Sequence, residues 1–221
     1  MEQQVATLRI SAKATNKDRS LFYFFVLFLF HEPQTTNHRL QTTNHMVRLF
    51  IAVDVPEEVS DELKRVQRLL PRSGLSLSRD FHLTLKFLGE VDPKKAGEVA
   101  ERLKAVRAEP FEASLAQVGF FPLDGSPRVV WLGVDPKDQI ALLQKKVDGA
   151  LDGLFPKEKS FVPHLTLGRM REVLDKQALK EFAKTRVQHM KFRIDSFSLI
   201  ESTLSSTGAV HREIARYPFK E

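Results

Sequence analysis

Phe81-His82-Leu83-Thr84-Leu85-Lys86-Phe87-Leu88-Gly89-Glu90-Val91 is the stretch from which the architecture can be read. Its tetrapeptide His-Leu-Thr-Leu returns at His164-Leu165-Thr166-Leu167. Side chains alternate faces along an extended chain, so His82 and Thr84 project together from one strand, and His164 and Thr166 from another. The leucines between them project to the opposite face and can be buried. Each copy follows an aromatic-led stretch and precedes a predicted helix. Two strands can therefore each offer an imidazole and a hydroxyl to one cleft, where facing histidines can serve as acid and base.

Working outward, the β-branched and apolar residues 47–54 predict a strand. Pro56 then suits a helix start, with Glu57 and Glu58 in the first turn, Val59, Leu63, Val66 and Leu70 at helical spacing, and Pro71 and Gly74 as the stop. Phe81–Leu88 is the first His-Leu-Thr-Leu strand, and Asp92-Pro93 opens a second helix through Ala96, Val99, Leu103 and Val106. Strands are predicted from Phe111 to Phe121 and from Arg128 to Val134, joined by a turn holding Asp124-Gly125. Asp135-Pro136 begins a third helix, Phe161–Gly168 is the second His-Leu-Thr-Leu strand, and a helix near Val173–Thr185 precedes long strands near Met190–Ser202 and Ala209–Phe219. A strand carrying the motif, a helix and then a strand pair thus occur twice. The repeat predicts an α+β fold of two similar lobes, two antiparallel sheets backed by helices around a central cleft. A βαβ-rich α/β arrangement stays open at this level.

The chain has 221 residues, a net charge of +6 and a pI near 9.5, a basic excess that suits a phosphate-bearing partner without requiring one. It contains no cysteine, which excludes disulfides, thiolate metal sites and cysteine nucleophiles and fits a cytoplasmic location. Residues 1–45 read differently from the rest. Residues 21–30, LFYFFVLFLF, are about half the length needed to cross a bilayer. Lys13, Lys17 and Arg19 precede this run, as in a signal peptide, but no small-residue cleavage pattern follows. His31, His38 and His45 lie in a polar, repetitive tract that reads as a sequence accident rather than a metal site. The expectation is a disordered or non-native extension over 1–45 and one domain of two lobes over 46–221.

Histidine exchanges protons near neutral pH, and a positioned acid or base contributes about 10²–10⁴-fold. Opening a cyclic phosphodiester needs one neutral histidine to take a proton and one protonated histidine to release the leaving oxygen. Threonine hydroxyls can donate to the non-bridging oxygens, where charge grows in the transition state. No metal or other cofactor is expected, since the body of the chain lacks a convincing ligand spacing. A single His-x-Thr reads more readily as a structural histidine, but two copies in matching contexts reverse that preference. His189 and His211 lack such support and read as surface or strand-packing residues.

FHLTLKFLGEV (Phe81–Val91) and FVPHLTLGR (Phe161–Arg169) resemble the two signatures of the two-histidine phosphoesterases, in the branch of RNA 2′,3′-cyclic phosphodiesterases and 2′-5′ RNA ligases. RLFIAVDVPEEV after Met46, PRVVWLGV at Pro127–Val134 and the closing ESTLSSTGAVHREIARYPF agree with it, and the resemblance covers residues 46–221. It implies a bilobal fold with His82 as general acid toward the departing ribose oxygen and His164 as general base toward water. The implied substrate-binding residues are Thr84, Thr166, Arg169 and Phe87, with Arg169 pairing with the phosphate and Phe87 stacking on a terminal base. Strand parity alone puts Arg169 on the face opposite His164, and Phe87 in register with the core leucines. By the same parity Lys86 shares the His82 face, as a rim lysine. The family often carries an aromatic where this chain has His211, while Trp131 and Arg128 read as structural.

The implied partner is RNA with 2′,3′-cyclic phosphate termini, tRNA fragments among them, acted on by a monomer with no membrane association. The same site run in reverse would join such an end to a 5′-hydroxyl. A non-catalytic single-strand RNA-binding module and a phosphodiesterase for small cyclic nucleotides are the competing readings.

Overall fold

The computed structural model describes residues 46–70, 74–122, 126–171, 176–205 and 208–220. The expectations for residues 1–45, the Asp124-Gly125 turn, Pro71 and the first turn of the helix at Val173 fall outside them. The elements run β1 Val47–Asp54, α1 Glu57–Gln67, β2 Leu75–Leu77, β3 His82–Val91, α2 Pro93–Leu103, β4 Phe111–Phe121, β5 Val129–Asp135, α3 Lys137–Ala150, β6 His164–Met170, α4 Lys176–Ala183, β7 Lys191–Ile194, β8 Ser196–Ser205 and β9 Gly208–Pro218.

Local chemistry accounts for the helix starts. Asp92 accepts a hydrogen bond from the Lys95 amide and Pro93 fills the first position of α2, where no amide donor is needed. Glu57 and Glu58 in the first turn of α1, with Lys64 and Arg65 in the last, match the helix dipole.

All pairings among the described strands are antiparallel, which settles α+β over the βαβ alternative. The repeat predicts two separate sheets. The described strands instead form one nine-stranded ladder in the order β7-β4-β5-β6-β3-β1-β8-β9, with β2 on the free part of β6. Its halves meet only through Leu83 opposite Leu165, in the middle of the two repeated tetrapeptides. Read outward from that junction, one half runs β3-β1-β8-β9 and the other β6-β5-β4-β7, so in each a motif strand is followed by the strand one helix earlier in sequence. The return of the chain end to the β1 half explains the one strand read too long. Met190–Ser202 is two strands broken at Asp195, because β7 pairs with β4 in one half and β8 with β1 in the other.

The helices cover one face. Leu49, Ile51 and Val53 of β1, Leu83 and Leu85 of β3, and Leu165 and Leu167 of β6 pack there with Val59, Leu63, Val99, Leu103, Ile140 and Val147. The opposite face carries a small cluster of its own, Phe50, Ala52 and Ile200, against which Phe87 packs.

Candidate active site

The Leu83–Leu165 pair brings the two motifs together. Both leucines are fully buried on the helix side, while His82, Thr84, His164 and Thr166 are half-buried on the other face. An antiparallel register centred on that pair sets Thr84 opposite His164 and Thr166 opposite His82. The two imidazoles thus take the diagonal, about 7 Å apart at Cβ in a flat ladder. Strand alternation and one cross-strand contact are sufficient to build this quartet.

Two bulges then redirect the residues beyond each motif. Ile51 pairs with Lys86 but Ala52 with Thr84, so β3 uses two residues where β1 uses one. Beyond Thr166 the same happens in β6, where Val130 pairs with Gly168 and Trp131 with Thr166. Each extra residue inverts the alternation. Phe87, five residues after His82, therefore returns to the His82 face, and its neighbour there is Phe50, with ring centroids 6.1 Å apart. Arg169, five residues after His164, returns to the His164 face in the same way and is half-buried. The parity that opposed both assignments fails at these bulges.

Lys86 is the corresponding correction. It is 3 % exposed and faces the helices, with Nζ 2.5 Å from Asp148 Oδ1 and 2.8 Å from the Pro156 carbonyl, so it adds no charge to the site rim. A second bulge frees Leu88, since Leu49 pairs with Gly89 but Phe50 with Phe87, and Gly89 supplies the positive φ of 78° there. In β6 the carbonyl of Leu167 at the bulge is taken by Gln67 Nε2 at 2.6 Å and the Ser78 amide at 2.9 Å. Gly168 leaves room for β2, where a Cβ would lie 3.0 Å from the Ser76 carbonyl oxygen.

Each imidazole sits among aromatic rings. His82 lies 4.7 Å from Phe50 and 5.2 Å from His211, and His164 lies 5.0 Å from Phe121 and 5.9 Å from Trp131, centroid to centroid. His164 Nδ1 is 2.7 Å from the Val162 carbonyl; as donor in that bond it leaves Nε2 to face the site. Burial pushes the His82 imidazole down to about 3, with further lowering by the charges of His211, Arg169 and His164. Burial also lowers His164 against the opposing pull of the Val162 carbonyl, and Arg169 lowers it further. The Arg169 guanidinium is itself lowered by burial, and its Nε has no hydrogen-bond partner among the described residues. The site thus gathers cationic groups that burial holds toward neutrality, a setting that an entering anion would relieve.

Reading the sequence missed Phe50, Phe121, Trp131 and His211 as site neighbours. Trp131 is legible in hindsight, because Gly119 across from it leaves the space its ring fills; a Cβ there would lie 2.2 Å from the indole. His211 has no local signal at all, since β9 reaches the site only through its pairing with β8. His189, as expected, is exposed.

Comparison with known proteins agrees with the α+β fold. The profile of the 2′-5′ RNA ligase superfamily matches residues 55–205. A Methanocaldococcus jannaschii protein named RNA 2′,3′-cyclic phosphodiesterase is 32 % identical over 77 % of this chain and 100 % of its own length. Proteins of the same name from Archaeoglobus fulgidus and Thermotoga maritima are each 35 % identical, over 76 % and 79 % of this chain and 98 % and 96 % of theirs. Among solved structures, a Thermus thermophilus protein superimposes with a TM-score of 0.68 at 26 % identity, covering 78 % of this chain and 97 % of that one. Escherichia coli LigT shares the fold, with a TM-score of 0.65 at 22 % identity over 80 % of this chain and its own full length. The chain belongs to the 2′-5′ RNA ligase superfamily, the two-histidine phosphoesterases.

Proposed function

We propose that this protein hydrolyses the 2′,3′-cyclic phosphate at RNA ends to a 2′-phosphate, using His82 and His164 as an acid–base pair without a metal. The observation that carries the reading is the His-Thr quartet around Leu83 and Leu165, with Arg169 turned onto the same face by the β6 bulge. The name shared by its relatives supports the substrate class. We read the two halves of the ladder as duplicated lobes and the quartet as the floor of the cleft between them.

The phosphate lies between the diagonal imidazoles. His164 Nε2 takes a proton from water as its oxygen attacks phosphorus, and His82 delivers a proton to the ribose 3′ oxygen as the P–O3′ bond breaks. Thr84 and Thr166 donate to the non-bridging oxygens, and Arg169 neutralises them. Phe87, beside Phe50, offers a ring to the terminal base. The phosphate charge raises both imidazoles from their depressed values, which lets one of them hold a proton near neutral pH. Because each step is reversible, a 5′-hydroxyl in place of water gives a 2′-5′ linkage with no nucleotide cofactor.

One observation favours the exchanged roles. The Val162 carbonyl favours a proton on His164 against the burial that lowers both imidazoles. A cyclic substrate with sulfur in place of the 3′ oxygen needs no proton on its leaving group. It therefore restores turnover to whichever alanine variant lacks the acid, and His82→Ala is the variant expected to respond.

The decisive assay incubates the full chain with a short RNA ending in a 2′,3′-cyclic phosphate and locates the terminal phosphate in the product. A 2′-phosphate that both His82→Ala and His164→Ala fail to form supports the reading. No conversion by folded protein overturns it in favour of small cyclic nucleotides or RNA binding alone.

A further inference from the structure

We propose that His211, beside the Asp80 carboxylate, is a positioning residue for His82: its ring packs edge-on against the His82 ring, and its own charge governs the charge that His82 can carry. This rests on the reading of His82 as a proton-handling residue. His211 belongs to β9 and reaches the site from the far edge of its half of the ladder. Its ring is perpendicular to that of His82, with centroids 5.2 Å apart and an interplanar angle of 84°, and it meets Phe50 at 5.2 Å and 73°. Its Nδ1 lies 3.4 Å from Asp80 Oδ2, in the segment that leads directly into His82. The three rings therefore form one packed group in which His82 has two fixed neighbours. Asp80 sets a carboxylate beside the β9 end of that group, though His211 Nδ1 makes no hydrogen bond among the described residues.

The charged and titratable groups around His211 come from several elements. Asp80 precedes β3 and favours a charged His211, while Arg169 of β6 and burial oppose it. His82 of β3 faces it directly, and β1 contributes the apolar Phe50. On β8 its cross-strand partner is Ser202, and Glu213 follows two residues along β9. Arg48 of β1 lies on the same sheet face as Phe50 by alternation. Of the described groups next to His82, His211 alone combines direct ring contact with a nearby carboxylate that favours its charged form against burial. A proton that settles on His211 stands beside His82 and disfavours a second.

The test is an imidazole titration by NMR on the full chain, read beside the pH–rate profile. His211→Phe keeps an aromatic ring against His82 and Phe50 but removes the charge. The His82 midpoint should then rise by at least about half a pH unit, the value of a unit charge about 5 Å away even in water. Whichever limb of the rate profile His82 governs should move to higher pH by the same amount, and the other limb should stay. His211→Gln should shift His82 in the same direction, since it too removes the charge, which serves if the phenylalanine variant does not fold. An unmoved His82 midpoint in either folded variant overturns the proposal and leaves His211 a packing residue. Because the titration is independent of turnover, it reads this inference even if the RNA assay fails.

Discussion

Lys86→Met should unfold this protein far more readily than a rim lysine could explain. The side chain is 3 % exposed and its ammonium is held by Asp148 Oδ1 at 2.5 Å and the Pro156 carbonyl at 2.8 Å, with Glu158 at 3.9 Å. Methionine fills nearly the same space without a charge. It leaves a buried carboxylate with one empty oxygen and a carbonyl without its donor. Removing one partner of a buried pair costs about 3–5 kcal/mol. Asp148 Oδ2 keeps Gln144 Nε2 and the Glu158 amide, each at 2.9 Å, so the lower end applies, about 3 kcal/mol. In a domain of this size that is a fall of about 6–12 °C in Tm. Urea unfolding of the wild type, Lys86→Met, Asp148→Asn and the double variant forms the assay; asparagine keeps an oxygen for Gln144 and the Glu158 amide but carries no charge. The double variant should regain about 1–2 kcal/mol over Lys86→Met, because no unpaired charge then remains inside. A loss below about 1 kcal/mol for Lys86→Met, the range of exposed ion pairs, would refute the buried placement and with it the β3 bulge.

His82→Ala and His164→Ala should each lower turnover by about 10²–10⁴-fold with unfolding midpoints near wild type. The double variant should be little worse than the poorer single, as for residues that act as a unit. Arg169→Met should lower kcat/KM by about 10–100-fold, the worth of hydrogen bonds to a charged group, as measured on the cyclic-phosphate RNA. Acid should destabilise the protein. His82 titrates near 6.5 when unfolded and near 3 when folded, so its stabilising effect is full above 6.5 and is lost as pH falls toward 3. Urea midpoints measured at pH 7 and pH 4 should therefore separate less in His82→Gln than in wild type. Chelation with EDTA should leave the hydrolysis rate unchanged, and a loss that added metal restores would sink the two-histidine scheme.

The repeated tetrapeptide carried a great deal of this molecule in one dimension. Alternation over Val47–Asp54, the cap at Asp92-Pro93 and the matched contexts of His82 and His164 were legible because they are local. They depend on backbone geometry, helix-end chemistry and a period of two, and the α+β class followed. Thr84 and Thr166 were legible for the same reason. Phe87, Arg169 and Lys86 were not, because a bulge has no period. It appears where two strands of unequal local length must stay paired, and it reverses every inside–outside assignment beyond it. The break at Asp195 was hidden because the two strands it separates look alike until their partners, β4 and β1, are known. His211 was the least legible of all. Its role arises from pairing between β8 and β9 and then between β8 and β1, and no residue beside it in sequence records that contact.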